Sequence, residues 1–195
     1  MELEGLTLSM EGRELLDLSG DDAVGNSVYI LLTDTKTRFS KLSKLITEAP
    51  YNHVSVAFDH SLKTLYTYAL MNANGLKGGI AKETWEELEG SNYSLYEIKV
   101  GIATLNKMKR RVKELEENVG NTRYNHLGLI NAVFKKELFS SDKDSVMFCS
   151  QFVVELLRFS GIELFEGKSS SVITPYELVK SKILRFVKRG KIKRG

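Results

Sequence analysis

Asn52-His53-Val54-Ser55-Val56-Ala57-Phe58, then Asp59-His60-Ser61-Leu62-Lys63, then Thr64-Leu65-Tyr66-Thr67-Tyr68-Ala69-Leu70 is the stretch on which the fold turns. Two β-branched and aromatic runs flank five polar or turn-forming residues, which is the pattern of a β-hairpin. A hairpin means antiparallel pairing. Upstream, Ser27–Thr33 (SVYILLT) is a short continuous apolar run and reads as a strand buried on both faces. Downstream, Ser94–Val100 (SLYEIKV) alternates like a strand.

Helices fall between and after these runs. Lys36–Glu48 places Phe39, Leu42, Leu45 and Ile46 on one face and is closed by Pro50. Leu105–Asn118 turns Met108, Val112 and Leu115 inward and charged residues outward, with Gly120 as its stop. Trp85–Leu88 suits a single turn, Asn72–Gly79 a glycine-rich connection, and Tyr124–Phe139 a mostly helical segment. Ser145–Ser160 reads as a buried helix halted by Gly161, with Phe148, Phe152, Val153 and Leu156 inward. Thr174-Pro175-Tyr176-Glu177 has the pattern of a capping box, and its helix is expected to run into Lys180–Gly195. Strands and helices interspersed in this way give an α+β fold.

The 195 residues suit one domain with a real core. Apolar residues at 42% and charged residues at 27% belong to globular chains, and a net charge of +3 is too small to argue nucleic-acid binding. The acidic, glycine-punctuated residues 1–26 read as a leader, 27–180 as the domain, and 181–195 as a basic tail capable of weak membrane-surface contact. Met1-Glu2-Leu3-Glu4 lacks a signal-peptide pattern and there is one cysteine, so a cytoplasmic setting is expected. Three scattered histidines without metal-binding spacing suggest no metal, and no glycine loop of the phosphate-binding type occurs, so no cofactor is expected.

Cys149 is the first candidate for chemistry. It lies near the start of a helix, where free N–H groups and the helix dipole favour a thiolate. A buried cysteine between Phe148 and Phe152 is the plainer reading. His53 opens a strand and is placed to serve as the base that a cysteine nucleophile needs. His60, in the hairpin loop, and His126 compete for that role. A third group should hold the other imidazole nitrogen. With the loop centred on Ser61, His53 faces Ala69 and Thr67 is its diagonal neighbour. A register one residue different would bring Tyr66 and Tyr68 there.

These residues resemble a known group. Tyr51-Asn52-His53-Val54-Ser55-Val56-Ala57-Phe58-Asp59, Leu65-Tyr66-Thr67-Tyr68 and the Gly78-Gly79 step are similar to the histidine hairpin of circularly permuted NlpC/P60 proteins, the permuted papain-like group. Phe148-Cys149-Ser150-Gln151-Phe152-Val153-Val154-Glu155-Leu156-Leu157, followed by Ser160-Gly161-Ile162, resembles that group's nucleophile helix. Tyr124-Asn125 and Thr174-Pro175 match further steps, so the likeness spans roughly residues 27–180. It implies an antiparallel sheet packed on a nucleophile-bearing helix, with Cys149 and His53 catalytic and Thr67 or Tyr68 as the polar third member. Tyr124 would line the substrate pocket, as would Tyr68. Two departures stand out: Gln151 where many relatives carry glutamate, and no carboxylate at the third position.

The activity implied is a thiol hydrolase or acyltransferase working on a peptide, lipid or small-molecule amide or ester. The alternative is a non-catalytic binding module on the same fold.

Overall fold

The computed structural model describes residues 25–35, 50–71, 77–125 and 146–193. Six strands form one antiparallel sheet: β1 (Asn26–Asp34), β2 (His53–Ala57), β3 (Leu65–Met71), β4 (Lys77–Glu83), β5 (Asn92–Val100) and β8 (Arg185–Lys191), in the order β4-β3-β2-β1-β5-β8. Two short strands, β6 (Arg123–Tyr124) and β7 (Val146–Met147), pair in parallel beside it. The α-helices among the described residues are α1 (Ile102–Glu117) and α2 (Cys149–Phe159). The α+β class with an antiparallel sheet is therefore what the chain adopts.

β1 is central, and its continuous apolar run follows from that position. Val28, Ile30 and Leu32 face one core with Val54, Val56 and Ile98, against Met108 and Val112 of α1 and Phe152, Val153 and Leu156 of α2. Tyr29 and Leu31 face a second, smaller core with Ala57, Leu65, Tyr93 and Leu95, closed by Leu62, Leu88 and Ile192. A strand with both faces covered has no polar face to alternate. The four inward residues of α1, Leu105, Met108, Val112 and Leu115, recur at helical spacing and form its buried stripe.

The hairpin has the expected register, since Val56 pairs with Tyr66. Asn52 fastens its beginning to the end of β1. Its amide oxygen accepts from the Thr35 N–H (3.2 Å) and hydroxyl (2.9 Å), and its amide nitrogen donates to the Thr35 carbonyl.

Several local expectations are corrected. Lys77–Glu83 is a strand, although Asn72–Gly79 reads as a connection. A Cβ on Gly79 would lie 2.1 Å from the Thr122 hydroxyl oxygen, which also accepts the Ile80 N–H at 3.2 Å. The glycine is there for that close approach, so it weakens the strand signal while serving the strand. Gly79→Ala should therefore lower unfolding free energy by about 2 kcal/mol, read from the urea midpoint. An unchanged midpoint would mean Thr122 moves aside freely.

α1 ends at Glu117 with Asn118 as its cap, two residues before Gly120. Tyr124 lies in β6 rather than a helix, and α2 begins at Cys149 because Val146–Met147 is spent on β7. Gly161, at φ 89°, stops α2, and the Ile162 N–H returns to the Leu157 carbonyl. The capping box at Thr174 and Glu177 is present, but it opens a short 3₁₀ segment, Pro175–Lys180. The chain beyond is not a helical tail: Arg185–Lys191 joins the sheet beside β5, so the boundary at 180/181 does not hold. The expected helix Lys36–Glu48, most of the 1–26 leader, and Tyr124–Phe139 past Asn125 lie outside the described residues. Among the described residues, no helix is long and apolar enough to cross a membrane.

Candidate active site

Cys149 is the first residue of α2 and His53 the first of β2, so both side chains stand at the ends of elements. Phe148 occupies the N-cap of α2, and a phenyl group has no acceptor with which to cap a helix. The leading N–H groups, that of Cys149 included, therefore have neither an intrahelical nor a capping partner. Inside the helix Phe152 stacks on Tyr68 with ring centroids 5.2 Å apart, which fixes α2 against the hairpin.

The His53 ring has a carboxylate and a thiol beside it. Its Nε2 lies 2.9 and 3.0 Å from the two carboxylate oxygens of Glu83. Cys149 stands beside the ring as well, close enough to act on the titration of His53. Ser55, fully buried, donates its hydroxyl to Glu83 Oε1 and sits 3.4 Å from His53 Nε2. The chain thus lines up Cys149, His53, Glu83 and Ser55.

The charges follow from this geometry. Burial works against an imidazolium, but the Glu83 carboxylate, hydrogen bonds to Cys149 and Glu83, and the charge on sulfur outweigh it and raise His53 to about 10. For Glu83, burial pushes upward and is overcome by the His53 charge and the hydrogen bonds from His53 and Ser55, so the carboxyl lies below its ordinary value. The two shifts agree in sign with one buried ion pair.

Glu83 is the residue that sequence reasoning missed, and the supposed lack of a carboxylate is corrected by it. Thr67 is not the orienting group, because its hydroxyl donates to the Val54 carbonyl at 2.8 Å. Tyr68 does not line a pocket either. It is 1% exposed in the core, with burial raising its phenol far above the ordinary value and no partner for its hydroxyl among the described residues. Tyr124 does stand by the sulfur: it pairs with Met147 in the β6–β7 ladder, and burial and then the nearby Cys149 raise its phenol. Gln151 takes part in packing, its side-chain oxygen 3.3 Å from the Asn125 amide. His60 is exposed in the hairpin turn and edges onto Tyr29, away from these groups, and His126 lies outside the described residues.

No protein-family model matches this chain, and no curated protein matches it in sequence.

Proposed function

We propose that the chain is a thiol hydrolase or acyltransferase of the permuted papain-like NlpC/P60 kind, acting on an amide or ester bond. One observation carries the reading: the only cysteine in the sequence stands beside a half-buried histidine whose Nε2 is held by a carboxylate. A structural cysteine has no need of an imidazole so held, whereas nucleophilic catalysis requires all three groups.

In this mechanism the Cys149 proton passes to His53 and Sγ attacks the carbonyl carbon. The oxyanion that forms is met by the Cys149 N–H at the head of α2. His53 then gives its proton to the departing amine or alkoxide as the carbon–heteroatom bond breaks, leaving an acyl group on sulfur. Acylation removes both the thiol hydrogen bond and the sulfur charge from His53. Two of the influences raising the ring are then gone, so its pKa falls and it is more readily unprotonated, free to take a proton from the water or acceptor alcohol that releases the acyl group. Glu83 keeps the ring oriented throughout, Ser55 holds Glu83, and Tyr124 forms the wall beside the sulfur.

The test is the rate of Cys149 carbamidomethylation by iodoacetamide against pH, in the wild type and in His53→Ala. At pH 7 the wild type should react about tenfold faster than the variant, because the imidazole beside the sulfur favours the thiolate. Superimposable profiles would leave the cysteine a structural residue and favour the binding-module reading.

A further inference from the structure

β8 is the outer strand of the sheet, and every residue from Arg185 to Lys191 is exposed. From Lys180 to Arg194 the sequence holds eight lysines and arginines, and no acidic residue follows Glu177. The whole chain is only +3, so the remainder is net acidic and the positive charge is gathered at this edge. Glu97 pairs with Arg185 and leaves the other cations of the strand to solvent. Cationic side chains on an edge strand are also what discourages sheet-to-sheet aggregation, and that would account for the charge alone. It does not account for the apolar residues among them. Phe186 is 52% exposed, Ile183 44% and Val187 37%, with Tyr176 close behind in the preceding segment. A β-bulge between Leu95 and Tyr96 breaks the β8 register at Val187. Phe186 lies edge-on to Tyr96 at 5.6 Å, so its ring is held in place rather than free to fold down.

We propose that this edge, from Ile183 to Lys193, is a docking surface for an anionic lipid membrane. The cations match phospholipid headgroups, and Phe186, Ile183 and Val187 reach the acyl boundary between them. A polynucleotide would use the cations and could stack a base on Phe186, but has no use for the exposed aliphatic Ile183 and Val187 beside it. The net acidic remainder is repelled by the same surface, so the molecule docks edge first. Docking does not depend on the thiol chemistry.

The experiment is sedimentation of the full chain with phosphatidylcholine vesicles, with and without about one third phosphatidylserine, over a range of salt. The wild type and Cys149→Ala should bind the anionic vesicles alike, at least tenfold more tightly than the neutral ones. Lys188→Glu/Arg189→Glu should lose about tenfold or more, and Phe186→Ser several-fold with charge unchanged. All these side chains are exposed, so circular dichroism of each variant should match that of the wild type. Phe186→Trp should be quenched by brominated acyl chains. Equal binding to both vesicle types, or binding indifferent to Phe186, overturns the proposal. So does tighter retention by duplex DNA that ignores Phe186, or a dimer that dissociates on charge reversal, either of which assigns the edge another occupant.

Discussion

Hydrolysis of an aryl ester that acylates the wild type falls by roughly 10³-fold or more in Cys149→Ala and in His53→Ala, and the double variant is no slower than either single one. The non-additivity is the sharper part of the result. A nucleophile and its base act as one unit, so removing the second member costs little once the first has gone. The thiol stands beside the imidazole and Glu83 holds the ring at Nε2, so the two residues act together. Intact-mass measurement supplies the companion readout: one acyl adduct on wild-type Cys149, and none on the Cys149→Ala chain. Single variants whose losses multiply would mean that the two residues act separately. Full activity in either would end the enzyme reading.

How much of this was legible in the sequence depended on whether a signal was local. The hairpin register followed from loop length and alternation, and the pairing of Val56 with Tyr66 is the one that centring the loop on Ser61 demands. The central strand announced itself as SVYILLT because a strand covered on both faces must be apolar throughout. α2 was read too early by four residues, since β7 and the helix share one apolar run and periodicity does not separate them. Glu83 was hidden for a different reason. It stands 30 residues after His53, on a strand with two adjacent glycines, whereas the hairpin register reaches only the strand next in sequence. The alternation Ile80, Lys82 against Ala81, Glu83 was the available clue. Strand β8 was hidden because an edge strand with both faces in water needs no apolar face. Its mixed lysine, arginine and apolar spacing then looks like the end of the preceding helix.

Glu83→Gln keeps the shape and the hydrogen-bonding reach of the side chain and removes its charge, so its effect is expected as a function of pH. His53 is raised from 6.5 to about 10 on folding, so its contribution to stability is full below pH 6.5 and is lost as the pH climbs through about 10. Glu83 is lowered from 4.5, so its contribution is full above pH 4.5 and is lost as the pH falls through the folded value beneath it. The pair therefore stabilises most between about pH 4.5 and 6.5. Urea unfolding at pH 6 should show the variant less stable by about 2 kcal/mol, below the roughly 3–5 kcal/mol of a broken buried pair because this pair is only half-buried and the histidine can shed its proton. By pH 10 the two chains should unfold together. Activity moves in the same sense: with the Glu83 charge gone, the imidazolium is lost at lower pH, and the alkaline limb of kcat/KM shifts down. A stability difference that stays constant from pH 5.5 to 10 would make Glu83 a packing residue. An alkaline limb that does not move would take it out of the catalytic group.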